Sequence, residues 1–344
     1  MKISNVLLIF GMLLLILLVC GNKKEPETTS GSLELIKRGD ELFSKQEKAE
    51  ALDVYKMAAD TALAENNNSD LTESYAQVAR CYLSMDNKEE GRPWLEKAEK
   101  IAKDTEPLGW TRYLGVKGRF LWKDAAEEKH EVAPEVDEAA KIFTELYDYA
   151  LKHQLHDRAV DAANMMSIVG DMDSRIDWSM KGIKAAEEGG LRDWLAPLWN
   201  NLGWTYDDLG MYDKSLEALM EARRYHYIKG DEKSMLIADW SVAHAYRMSG
   251  QIDSALAWAQ RATIWAKDMY DDNPSPETAE WQGLCYRELA EAALAAGNEK
   301  RALAGFRSAR MYLDKANMKE WDEKGYNELL DKIATLEANI GGNR

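Results

Sequence analysis

The sequence predicts an all-α solenoid of about seven helix hairpins with a period near 40 residues, closed by a C-terminal helix. Three observations carry this. Apolar residues recur at helical spacing from Leu33 to the end of the chain, short patterns of the same kind return after each turn signal, and only 7 prolines and few β-branched runs oppose helix. Hydrophobic residues make up 46% and charged residues 30%, which fits a folded body and not a disordered one.

The first elements precede the solenoid. Lys2 is followed by an apolar run from Val6 to Val19, 14 residues long. Such a run spans about 21 Å as a helix, short of the ~30 Å hydrocarbon core of a bilayer, and so reads as the apolar region of a signal segment over residues 1–20. Cys20 directly after it resembles the lipobox of bacterial lipoproteins, with Leu17 in the expected place and Val19 where Gly, Ala or Ser is usual. Lipid attachment at Cys20 is one reading; an uncleaved N-terminal anchor is the other. Both tether the chain in a cell envelope, and a lipoprotein of the outer membrane is the expectation. Residues 21–32, small, polar and unpatterned, read as a flexible tether.

The solenoid is expected over residues 33–317. Its first hairpin carries Gly39 and Phe43, then Ala51, Tyr55 and Ala58; its second, Tyr75, Ala79 and Tyr82, then Gly91, Leu95 and Ala98. The third has Trp110, Tyr113, Gly118 and Leu121 before a charged insertion over 123–134, and Ala139, Phe143 and Leu146 after it. The fourth is weak, with Ala163, Gly170, Arg175, Trp178 and Gly182. The fifth, residues 199–222, is the clearest: Trp199, Leu202, Gly203 and Tyr206 share one helical face, Gly210 ends the helix, and Ser215, Leu219 and Ala222 share a face of the next. A sixth holds Ala243, Tyr246, Gly250, Ala255 and Ala262, and a seventh Leu289, Ala290, Gly297, Ala302, Phe306 and Ala309. Residues 318–344 supply an amphipathic capping helix and a tail.

Residues 199–222 resemble a tetratricopeptide repeat (TPR), whose pattern of Trp, Leu-Gly, Tyr, Gly-x-Tyr, small, large apolar and small is matched by Trp199, Leu202-Gly203, Tyr206, Gly210-x-Tyr212, Ser215, Leu219 and Ala222. The residues opening each second helix, at 51, 91, 139, 175, 215, 255 and 302, step by 40, 48, 36, 40, 40 and 47. These steps exceed the usual TPR period of about 34 and imply longer helices or loops. The last is ascribed to an acidic loop over 268–278.

No catalytic pattern is present: no Gly-rich phosphate loop, no H-E-x-x-H, no paired C-x-x-C and no G-x-S-x-G. The reading is of a non-enzyme without cofactor or metal. His153 and His156 lack a third ligand nearby, and Asp271, Asp272 and Asn273 lack calcium-loop spacing. Cys81 and Cys285 lie several repeats apart and read as buried, unpaired thiols. A net charge of −16 without a basic stripe disfavours nucleic acid.

Function is then expected on the face of each first helix that does not pack. The TPR resemblance implies that this face lines a concave groove holding an extended peptide or a partner's helix. It carries Asn200, Trp204, Asp207 and Asp208 in the fifth repeat, Trp240, His244, Arg247 and Met248 in the sixth, and Arg287 and Glu291 in the seventh; Arg80 and Asn164 take the place of Trp204 farther up. Exposed Trp beside Arg is hot-spot composition. Trp204 and Trp240 either contact a ligand or pack between repeats. The basic clamp with which some TPR proteins grip a C-terminal carboxylate is not expected: Asn164 and Asn201 suit its amides, but Val160, Ile237 and Ser241 stand where its cations would be. The leading reading is a membrane-tethered adaptor binding a protein or peptide; the alternative is a carbohydrate-binding envelope lipoprotein with Trp204 and Trp240 as stacking platforms.

Overall fold

A computed structural model of the chain describes residues 30–127 and 134–342. The expected signal segment, Cys20, most of the expected tether and residues 128–133 of the charged insertion lie outside the described residues. All regular structure among the described residues is helical. Seven hairpins follow one another: α1–α2 (Gly31–Ser44, Lys48–Glu65), α3–α4 (Asn68–Ser84, Lys88–Ile101), α5–α6 (Pro107–Glu127, Pro134–Lys152), α7–α8 (His156–Val169, Met172–Glu188), α9–α10 (Arg192–Asp208, Tyr212–Lys229), α11–α12 (Glu232–Met248, Ile252–Asp272) and α13–α14 (Pro276–Ala295, Glu299–Lys315). The short α15 (Met318–Trp321) and the long α16 (Glu323–Gly342) close the array, with Tyr326, Leu329, Ile333 and Leu336 buried against α14 and its neighbours.

One contact recurs within the hairpins. A small residue on the first helix faces a large one on the second: Gly39 lies against the ring of Tyr55, Gly118 against Phe143 and Gly203 against Leu219. Ala79, Ala163, Ala243 and Ala290 hold the corresponding place elsewhere and are fully buried. A small side chain there lets two helices close on each other, and the large partner fills the space left between them.

The same logic sets the side of the array on which function can sit. Successive first helices approach one another, by backbone at α1–α3, α3–α5, α5–α7, α7–α9 and α11–α13, and through ring contacts at α9–α11. Successive second helices do not pack on one another to a comparable extent among the described residues. The first helices therefore form the tighter, inner side of a curved stack.

Five details depart from expectation. The first helix begins inside the proposed tether: Ser30 caps it by accepting from the Leu33 amide, and Ser32 is buried, its hydroxyl within hydrogen-bond distance of the carboxylates of Glu65 (2.5 Å) and Asp70 (2.6 Å). Residues 123–127 of the insertion continue α5, where Asp124 pairs with Lys88 (2.9 Å) and Arg92 (2.6 Å). The expected acidic loop over 268–278 is mostly helix. Residues 268–272 extend α12, aided by the Lys267–Asp271 pair, and Ser275 with Thr278 forms a capping box that starts α13 at once. Gly170 is extended (φ −64°, ψ 160°) and not left-handed, because Asp171 caps α8 directly behind it. The left-handed turn residues are Gly210, Gly250 and Gly297 as expected, together with Gly190, Gly230 and five residues that are not glycine: Gln46, Asn66, Asp86, Gln154 and Asn317.

Candidate functional site: the inner face of the stack

The residue immediately after each small contact residue points along the inner side and forms one column through the stack: Asp40, Arg80, Arg119, Asn164, Trp204, His244 and Glu291. It spans three chemistries.

Around Trp204 the inner face is aromatic. Trp204 and Trp240 lie with ring centroids 5.8 Å apart, Trp240 meets Trp281 edge-on at 5.9 Å, and Trp204 lies 4.9 Å from the His244 ring. All three indoles are half-buried. They pack against one another between repeats, as one of the two expected roles requires, and remain partly exposed. The buried Nε1 of Trp240 has no hydrogen-bond partner among the described residues.

Beneath the indoles is a charged cluster. His244 lies 3.3 Å from Asp207 through Nε2 and 3.6 Å from Glu288 through Nδ1. Arg247 donates to Glu288 through Nε (2.6 Å) and Nη2 (3.1 Å). Burial pushes the His244 pKa down, but the Glu288 hydrogen bond and the charges of Glu288 and Asp207 outweigh it, and the net shift is upward. Burial pushes Glu288 up, yet hydrogen bonds from His244 and Arg247 hold it below the usual carboxylate range. The cluster orients Trp204 from below.

The other expected residues are placed as follows. Asn200 is half-buried one turn before Trp204, and Asp208 is exposed at the helix end. Arg287 and Glu291 are tied to the last helix, Arg287 to Glu328 (3.7 Å) and Glu291 to Lys332. Asn164 accepts from the Asn201 amide (3.1 Å), so the two amides that suit a clamp bond each other. Arg80 lies over the Phe43 ring, 4.6 Å from its centroid. Among the described residues no group of three or more metal-ligating side chains converges.

In the first half the column is ionic. Glu73, only 2% exposed, accepts from Arg112 (2.9 Å) and from Arg158; Arg112 also pairs with Asp40 (2.9 Å), and Arg119 with Asp161 (2.6 Å). Tyr55 and Gln77 donate to Asp40. Burial raises Asp40, but Arg112 and the Tyr55 hydroxyl bring it below its ordinary value. Asp161 is likewise held well below it by Arg119 and Arg80 against burial. Sequence reasoning missed Arg119 and Trp281. Arg119 was findable, since it follows Gly118 as Arg80 follows Ala79 and Trp204 follows Gly203. Trp281 was not, because its contact with Trp240 depends on how two repeats meet.

A family model described as the tetratricopeptide repeat matches residues 72–105 and 196–222. Those two segments are tetratricopeptide repeats. Among solved structures, the chain is similar to a signal-transduction ATPase with numerous domains and a tetratricopeptide repeat sensor from Pyrococcus horikoshii, at 17% identity and TM-score 0.62, over 88% of this chain and 43% of that one. It thus spans less than half of that protein's length. It is also similar to BtubC from P. vanneervenii, at 17% identity and TM-score 0.52, over 65% of this chain and 88% of that one. At these identities the likeness shows the fold alone, an α-solenoid built from TPR units. No curated protein matches in sequence. The TPR fold is that of a protein-interaction scaffold.

Proposed function

We propose that the protein is a non-enzymatic, membrane-tethered scaffold that holds an extended peptide or a helix of a partner protein along the inner face of its TPR stack. The observation that carries this is the ladder of Trp204, Trp240 and Trp281, half-buried on the side where the first helices meet and braced by His244 and Arg247. Large aromatic surfaces held rigidly beside a guanidinium lose little entropy on binding. Tethering rests on Lys2, the apolar run and Cys20. Among the described residues no helix is long and apolar enough to cross a membrane.

Photo-crosslinking from intact cells tests the reading. A crosslinking side chain at Asp208, exposed on the inner side, should capture a partner that one at Met57, exposed on a second helix, does not. Trp204→Ala with Trp240→Ala should abolish that capture. Equal capture from Asp208 and Met57, or capture indifferent to both tryptophans, would rule the groove out. Loss of membrane partitioning in Cys20→Ser tests lipid attachment separately.

A further inference from the structure

Several indoles on second helices are covered by a cation of the chain itself. Lys97 lies over Trp94 (3.9 Å to the ring centroid), Lys181 over Trp178 (4.1 Å), and Arg223 (4.7 Å) with Arg261 (5.2 Å) over Trp258. Trp204, Trp240 and Trp281, on first helices, are partly exposed and have no such cover among the described residues. The cations nearby are already engaged: Arg247 by Glu288 (2.6 Å), Lys233 by Glu277, and Lys332 by Glu291. Carboxylates are left over. Asp208 is exposed and unpaired among the described residues, and Asp207 pairs only with His244 while its buried Oδ1 has no hydrogen-bond partner. Glu280 precedes Trp281 and shares a face of α13 with Arg287 and Glu291 by helical spacing. It is half-buried, and no cation among the described residues reaches ion-pair distance of it. Burial holds its carboxyl above the ordinary value; Lys233, engaged by Glu277, offsets only part of that, and the like charge of Glu277 adds to it.

We propose that the corner formed by Trp240 and Trp281, with Glu280 beside it, seats a basic side chain, lysine or arginine, of the segment held in the groove. The two indole planes are inclined at 74° with centroids 5.9 Å apart, two walls of the kind of cage that holds a cation. Indole faces attract a cation through the ring quadrupole, and the attraction grows as water is excluded. On the second helices the chain supplies that cation itself; on the inner face the place is open. The left-over carboxylates decide between ligand classes. An anionic segment meets Asp207, Asp208 and Glu280 and is repelled. A neutral apolar segment buries Glu280 further with nothing to compensate it, which costs free energy. A basic side chain gains both the indole faces and the carboxylate. At longer range the net charge of −16 draws a basic segment toward the stack. This deepens the scaffold reading and rests on it, by naming the charge of the bound segment.

Two measurements on the full chain test the corner and separate its failure from that of the scaffold. The first follows the indole Nε1–H signals by NMR during titration with acetylated, amidated triarginine at constant ionic strength. The Trp240 and Trp281 signals, identified by their loss in Trp→Phe variants, should shift saturably, and Glu280→Gln should weaken the response. The Trp258 signal, whose ring its own arginines cover, should stay in place, and the matching triglutamate should move none of the three. Equal shifts with both probes, or no shift with triarginine, would overturn the corner. The second selects displayed random dodecapeptides against the full chain. The selected peptides should carry a lysine or arginine whose change to Gln weakens binding by about fivefold or more. Trp281→Leu, which keeps apolar bulk and removes the quadrupole, should weaken them similarly, and the two changes together should cost little more than either alone. Peptides that need Trp204 and Trp240 but hold no basic residue that matters would sink the corner and leave the scaffold standing. Basic peptides that need Glu280 but bind Trp281→Leu as well as the native chain would sink the corner too, leaving a charge contact alone. No selected peptide and no shift with triarginine would overturn both the corner and the scaffold.

Discussion

Replacing Gly203 by valine tests the contact on which the hairpins are built. A Cβ at this position would stand 2.5 Å from Leu219 Cγ, 2.7 Å from its Cδ2 and 3.3 Å from its backbone nitrogen. Carbon atoms in contact sit about 3.5–4.0 Å apart, so roughly an ångström of overlap must be absorbed. Leu219 is 1% exposed and has nowhere to turn. Overpacking of this kind costs about 1–3 kcal/mol, and a β-branched side chain belongs at the upper end. The better helix propensity of valine returns about 0.5 kcal/mol. A net loss of about 2 kcal/mol is expected, read from urea unfolding by circular dichroism. Hydrogen exchange should place the loss in α9 and α10, since a repeat array need not unfold as one unit. Leu219→Ala alone should cost about 2–5 kcal/mol by leaving a cavity. The double variant should cost at least about 1 kcal/mol less than the sum, because each change makes room for the other. Gly210→Ala is the control. Nothing lies within 4 Å of a Cβ there, but φ is +69°, and about 1 kcal/mol should be lost whatever stands at residue 219. Additive effects of Gly203→Val and Leu219→Ala, or a loss below about 0.5 kcal/mol in the single valine variant, would refute the packing argument.

Three further outcomes are expected. Glu73→Ala takes from the buried guanidinium of Arg112 one of its two carboxylates, leaving Asp40, and leaves Arg158 only Asp157, and should cost about 3 kcal/mol, with part of the loss recovered when Arg112→Leu is added; a loss below about 1 kcal/mol in urea unfolding would count against this. The His244 cluster should be most stabilising between the ordinary pKa of Glu288, 4.5, and that of His244, 6.5. His244 is raised on folding, so its contribution is full below 6.5 and is lost as pH rises through the higher folded value; Glu288 is lowered, so its contribution is full above 4.5 and is lost as pH falls through the lower folded value. NMR titration of His244 and the pH profile of stability check this, with His244→Gln expected to flatten the alkaline limb. Burial pushes the Cys81 thiol up to about 12 and Cys285 higher still, so neither should react with a thiol reagent in the native chain, and both should react after unfolding.

The number of hairpins was legible because the residue that opens each second helix, small except at Arg175, returns at steps of 36 to 48, a local signal with a steric cause. The structure supplies the cause where Gly39 lies against Tyr55, Gly118 against Phe143 and Gly203 against Leu219. Boundaries were less legible where composition and capping compete. Residues 268–272 have a loop's composition, but the capping box at Ser275 lets α13 begin so soon that the preceding helix can run on. At Ser30-Gly31-Ser32 the chain has the composition of a tether, and its fate depends on Glu65 and Asp70, acceptors more than thirty residues away. The site was half legible. Which side chains share the inner column follows from their place after the small residue; which of them pair with each other does not, because pairing is set by the rotation between repeats. So Trp204 and Trp240 were singled out, whereas Trp281 and the Glu73–Arg112–Arg158 cluster were not.

That asymmetry has a physical source. A repeat that keeps the full apolar pattern spends its inner-facing positions on contacts its neighbours can predict. A repeat that departs from it must satisfy its buried groups another way, and the third and fourth do so with charge: Arg112, Arg119, Arg158 and Asp161 lie on α5 and α7, the first helices of the two hairpins least like the repeat pattern. Arg112 and Asp161 sit at depths where the fifth repeat has Ala196 or Pro197 and Asn201, and ion pairs there stabilise the fold less than apolar packing would. Local disagreement with a fold's own rules, held in place by neighbours that obey them, is where a scaffold can carry specificity. In this stack the fifth, sixth and seventh repeats each present an indole and the two irregular ones present guanidiniums. The most pattern-like stretch, 199–222, therefore identifies the architecture, and the least pattern-like helices, α5 and α7, carry Arg112, Arg119, Arg158 and Asp161 of the inner face.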